Sequence, residues 1–172
     1  MSSEPNTVDT SAKWMILLAW ICGIGICVWA FSGLLARQEN PNMNVESFRT
    51  GSAVEVQLKQ NRQGHYVANG KINGETVTFL VDTGATSVSV PAHLANQLGL
   101  VPMGRGIART ANGNVEIAFT KIDTLQLGEI TVTDVDASLN PGMRDNHILL
   151  GMSVLRQLEF TQRGEWLILR TL

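Results

Sequence analysis

Asp82 closes an apolar run and is followed at once by Thr83, Gly84 and Ala85, so that residues 79–86 read Phe-Leu-Val-Asp-Thr-Gly-Ala-Thr. A carboxylate at the end of a buried strand is costly unless it is partnered or performs acid–base chemistry. Gly84 allows the chain to turn tightly beside that carboxylate, and Thr83 brings a hydroxyl that can bond to a neighbour. The triplet Asp-Thr-Gly alone is a weak signal. Its setting is more restrictive: a hairpin-fed hydrophobic strand, then Asp-Thr-Gly-Ala, then another strand.

Other residues able to do chemistry are less organised. His65, His93 and His147 are far apart and no pair has metal-ligand spacing, so no metal or other cofactor is expected. Asp134 and Asp136 share one face of an expected strand, which reads as a solvated face. Gly104-Arg105-Gly106 is too short for a phosphate loop and reads as a flexible approach to the next hairpin. Trp166 is expected in the core or at a dimer edge. The two cysteines, Cys22 and Cys27, lie in the N-terminal apolar run, leaving the remainder without thiol or disulfide chemistry. A net charge of −2 with interspersed signs gives no basic stripe for nucleic acid.

The elements that must position Asp82 are mostly short strands separated by turns, an all-β pattern. Val54, Val56 and Leu58 alternate with Glu55, Gln57 and Lys59, as in a half-buried strand. A second run begins at His65-Tyr66-Val67, and Asn73-Gly74 then signals a hairpin into 76–81, the strand carrying Asp82. Residues 86–90 form a further strand. Residues 91–98 suggest a short helix with Pro91 in its first turn and Gly99 just beyond it. Arg109 to Val115 contains a second Asn-Gly hairpin tip, at Asn112-Gly113. Strands are expected at 122–127 and 130–139, a short helix at 152–157 and a closing strand at 166–172.

The first quarter of the chain differs. Residues 14–36 carry no charge, and as a helix of 23 residues they would extend about 34 Å, enough for a hydrocarbon core of about 30 Å. A retained single-pass anchor is the expected form. A cleaved signal peptide is the rival, because Ala30-Phe31-Ser32 has a small-x-small pattern. Lys13 and Arg37 flank the run and leave its orientation open. Ala19, Gly23 and Cys27 lie four apart, a spacing that would allow close helix pairing, although such residues are common in membrane helices. The expected organisation is therefore a tail at 1–13, an anchor at 14–36, a polar tether at 37–50 and one β domain at 51–172.

On three features the chain resembles the retropepsin-like aspartic peptidases. They are the loop Asp82-Thr83-Gly84-Ala85, the hairpin around Thr110 to Val115, and Ile148-Leu149-Leu150-Gly151, an apolar strand ending in glycine. The N-terminal span is similar to that of the membrane-anchored bacterial group. The resemblance implies a single-lobe, closed acid-protease barrel, with Ile148 to Gly151 crossing beneath the active-site loop. It implies that Asp82 is the catalytic acid and base, that Thr83 bonds across a dimer axis, and that Gly84 and Ala85 shape the cleft floor. Ala111, Asn112 and Gly113 would form the flap over an extended protein or peptide substrate. Only one Asp-Thr-Gly is present, so the second carboxylate would be Asp82 of another copy in a homodimer. One departure stands out. Where viral members carry an arginine and an acidic or amide residue after the glycine, this chain has Met152-Ser153, without the ion pair that braces those dimers. The resemblance places the enzyme at the bacterial inner membrane, with its catalytic domain periplasmic. The alternative is a catalytically silent, membrane-anchored β domain that binds extended segments.

Overall fold

The computed structural model describes residues 10–110 and 113–172 and divides into two units after Arg37. The first unit holds the helix α1, Thr10–Glu39, which runs three residues past the charge-free stretch, its last two residues counted with the second unit. It is apolar on every side, with Trp14, Trp20 and Trp29 all more than 60% exposed. A helix with no polar face calls for apolar surroundings on every side. Ala12–Glu39 is long and apolar enough to cross a membrane by length and composition, a test that a signal sequence also passes.

The second unit begins where a free polar tether was expected, and here the structure differs from the sequence expectation. Asn40 and Asn42 are buried. The Asn42 side chain donates to the carbonyls of Lys59 and Val67, at 2.9 and 2.7 Å, and accepts the Lys59 amide at 2.7 Å. Asn40 accepts the Asn42 amide and donates to Asn69. Five residues later the chain enters a strand, β1, Ser47–Thr50, antiparallel to β2, Ala53–Lys59. Asparagine satisfies two backbone segments at once because its amide both donates and accepts, and this fastens a stretch with almost no apolar side chains.

Most of the remaining elements follow the periodicity, but 104–106, expected as a flexible approach, is strand, and a further strand lies at 158–163. They are β3 (Val67–Ile72), β4 (Glu75–Val81), β5 (Val88–Pro91), β6 (Gly104–Thr110), β7 (Gly113–Leu127), β8 (Ile130–Asn140), β9 (His147–Leu150), α2 (Met152–Leu155), β10 (Leu158–Arg163) and β11 (Trp166–Thr171). Asn73 and Gly74 both take positive φ, 50° and 87°, as a two-residue hairpin of the favoured hand requires. The helix expected at 91–98 is a single 3₁₀ turn, Ala92–Leu94. Asp134 and Asp136 are exposed on β8, as expected for a solvated face.

Two sheets result. Strands β1-β2-β11-β10 form one, and β3-β4-β9-β5-β8-β7-β6 form the other. In the larger sheet Lys71 and Ile72 of β3 also pair with Gln126 and Leu125 of β7, which closes the strands from β3 round to β7 into a barrel. Phe79, Ile122, Ile148, Leu150 and Leu155 are among the buried side chains that fill it, joined by Val56, Leu58 and Leu169 of the smaller sheet. The fold is a mainly β closed barrel: the strand pattern predicted the β class, and the family resemblance implied the closure.

Candidate active site

Asp82 lies one residue past the end of β4, on the turn that joins β4 to β5. Strand β9 runs between those two strands, parallel to β4 and antiparallel to β5, so Ile148 to Leu150 underlie both arms of the loop. The backbone stitches them together: the Asp82 amide donates to Leu150 O at 3.2 Å and the Met152 amide to Ala85 O at 2.8 Å. Gly151 sits where a side chain would strike the carbonyls of Ser87 and Ala85, the latter 2.7 Å from an added Cβ. Only glycine lets β9 pass this close beneath the loop.

Within the loop, Asp82 Oδ1 accepts the Gly84 amide at 2.8 Å, and the Ala85 amide returns to Asp82 O at 3.3 Å. This Asx-type turn holds the carboxylate at a set angle and leaves Oδ2 out of that bond. Asp82 and Ala85 are half-buried, while Thr83 and Gly84 are exposed. The loop therefore presents a carboxylate with a threonine and a glycine beside it on an open surface.

The predicted flap is a hairpin of β6 and β7, in register from Gly104↔Phe119 to Thr110↔Gly113. Ala111 and Asn112, two of its three expected tip residues, lie outside the described residues. Gly113 has φ of 108°, and Thr110 Oγ1 donates to its carbonyl at 2.9 Å. The Gly104-Arg105-Gly106 stretch is part of β6. At Gly106 an added Cβ would meet the Phe119 ring at 2.5 Å, so glycine lets the ring lie flat on the hairpin. Arg105 and Glu116, both exposed, pair across the hairpin at 3.5 Å. A cleft of about 430 Å³ opens at the base of this hairpin, lined by Ala92, Leu100, Pro102, Ile117 and Leu139 among others, but none of its lining residues belongs to the Asp82 loop.

In the sequence Ser153 stands out only as a departure from the viral pattern. It is 5% exposed; its hydroxyl accepts the Val88 amide at 3.1 Å and its carbonyl accepts Gln157 Nε2. A serine here ties α2 to the first residue of β5 inside one chain. The histidines are scattered: His93 meets Asn146 at 3.0 Å, and His147 meets Asp145 at 3.3 Å and Glu39 at 3.9 Å.

Comparison with known proteins agrees with this geometry. The profile of the gag-polyprotein putative aspartyl protease family matches residues 68–157, which include Asp82, the hairpin and the β9–α2 junction. A retropepsin-like aspartic protease from Rickettsia conorii superposes with a TM-score of 0.57 at 25% identity, covering 74% of this chain and 94% of that one. An uncharacterised protein from the cobV 5′ region of a Sinorhizobium species is 31% identical over 111 residues, covering 63% of this chain and 48% of that protein. This chain thus spans about half the length of that curated relative.

Proposed function

This chain belongs to the gag-polyprotein aspartyl protease family, with a retropepsin-like fold, and on that premise we propose that it is an aspartic endopeptidase that works as a homodimer. Asp82 of each protomer contributes one carboxylate to a shared pair. Two carboxylates this close hold one proton between them, aspartic proteases being the established example. The ionised member takes a proton from water, and the water oxygen attacks the scissile carbonyl carbon. The protonated member meanwhile gives its proton to the carbonyl oxygen, forming a tetrahedral diol. Collapse of the diol breaks the C–N bond: the leaving nitrogen takes the proton that the first carboxylate drew from water, and the second, now ionised, recovers a proton from a diol hydroxyl. Thr83 steadies the two loops across the axis, Gly84 and Ala85 form the floor, and the hairpin tip at Ala111, Asn112 and Gly113 closes over an extended peptide.

The observation that carries this proposal is the half-buried Asp82 carboxylate, oriented by the Gly84 amide over a β9–Gly151 floor. The test is hydrolysis of a peptide library at pH 4 to 7 by the full chain in detergent, beside Asp82→Asn. Cleavage should fall by about 10³-fold or more in the variant, and cleavage that survives it would overturn the proposal. We place the protein in a bacterial inner membrane through α1, with the β domain in the periplasm. A topology reporter fused after Leu172 should be active only in its periplasmic form.

A further inference from the structure

Residues 14–36 carry no charge, and Glu39 follows Ala36 by three residues. Three residues reach no more than about 11 Å when fully extended, so Glu39 stays that close to Ala36 whatever path the chain takes. A headgroup layer is about 5–8 Å deep on each side of the hydrocarbon core. Beyond Glu39 the chain is fastened at once. Asn61 donates its side-chain amide to Glu39 O at 3.0 Å, and Asn42 bonds both the amide and the carbonyl of Lys59. The turn at 60–65 is therefore tied to the last residue of α1.

A second turn lies against the first. The Gln60 amide donates at 2.8 Å to Glu165 O, in the tip that joins β10 to β11. Trp166 pairs with Lys59 on one side and with Arg163 on the other, which sets an indole between two cations on one face of the smaller sheet. Lys59 Nζ lies 5.8 Å from the centre of the Trp166 ring and 3.6 Å from Glu165. Arg62, His65, Arg163 and Trp166 are all exposed. The acids on these segments are engaged: Glu165 by Lys59, and Glu39 by His147 at 3.9 Å. An amphipathic ring flanked by long basic side chains suits a membrane–water boundary, where the indole sits at headgroup level and the cations meet phosphate.

We propose that this edge, made by Lys59, Arg62, Arg163 and Trp166, docks on anionic phospholipid headgroups, so that the β domain rests on the bilayer instead of hanging from it. This rests on α1 being a retained membrane span, as proposed above. The chain itself brings a bilayer within reach of the edge, and the exposed cations match the charge of its surface.

The test uses the full chain in lipid nanodiscs, either phosphatidylcholine alone or equal parts phosphatidylcholine and phosphatidylglycerol. With Cys22→Ala and Cys27→Ala in place, a nitroxide at Gln63→Cys reads depth from its collisions with oxygen, which favours lipid, and with a nickel chelate, which favours water. In mixed discs the label at Gln63→Cys should be shielded from nickel. A label at Glu75→Cys, beyond the six residues of β3 and about 20 Å away, should stay open to it. Arg62→Gln and Arg163→Gln should each lower the docking constant about fivefold, and high salt or phosphatidylcholine alone should remove most of the shielding. A Gln63→Cys label open to nickel in mixed discs overturns the docking edge, as does equal shielding at Glu75→Cys. Shielding that ignores both phosphatidylglycerol and salt, as a protein partner would give, overturns it too. A label on the native Cys27, with only Cys22→Ala, checks the span. Hydrocarbon at Cys27 with water at Gln63→Cys sinks the docking edge alone, whereas water at Cys27 sinks the membrane placement and the edge together.

Discussion

Asp82 is held by its neighbours more than by its own side chain. The carboxylate takes its angle from the Gly84 amide, and the loop takes its height from β9 beneath it. The same dependence reaches Ser153, which provides the only side-chain acceptor described for the buried Val88 amide at the start of β5. Ser153→Ala leaves that amide without its acceptor, and the desolvation cost of an orphaned buried donor is about 1–3 kcal/mol. The expected result is a melting temperature lower by roughly 3–10 °C in a domain of this size. Calorimetry of the full chain would check it, and an unchanged transition would count against the brace. Asp82 and Gly84 were legible as residues because the Asp-Thr-Gly-Ala run is itself the turn. Ser153 was not, since its use depends on a backbone amide 65 residues away.

At the scale of elements, the strands announced themselves through alternation and the hairpins through Asn-Gly, because both signals are local. The segment 38–50 did not. Its residues are polar and aperiodic, and what fixes them is partner geometry: Asn42 bridges Lys59 and Val67, and Asn69 is bonded by Asn40 and itself donates to Met43 O. Domain boundaries follow from this. A chain starting at Gln38 keeps these bonds and β1, whereas one starting at Gly51 strips them and bares the edge of β2. The first should fold and remain soluble. The second should lose several kcal/mol, at about 1 kcal/mol per hydrogen bond, before any penalty for orphaned groups, and should aggregate. Circular dichroism melts and size-exclusion profiles of the two would decide. A Gly51 start as stable as the Gln38 start would restore the tether reading.

For the whole molecule, one chain carries one Asp-Thr-Gly, so under the proposed mechanism activity belongs to a pair. Mixing wild-type chain with an equal amount of Asp82→Asn should leave roughly a quarter of the dimers with both carboxylates, if pairing is random in a two-fold assembly. Specific activity should fall to about that fraction rather than to half. It should also fall on dilution, more steeply for the chain starting at Gln38 than for the one that keeps α1, since an anchor raises effective concentration in the bilayer. Activity that tracks the wild-type fraction linearly would mean that each chain works alone. The sequence by itself determined the β class, the apolar N-terminal helix, the Asp82 loop and the glycine that ends β9. Each of these is written in consecutive residues by period, turn chemistry or length. Only the tertiary structure decided that residues 40–50 belong to the domain, that Ser153 fastens β5, and that β10 is left as an open edge. Those outcomes depend on which distant backbone groups meet, and local spacing carries no record of that.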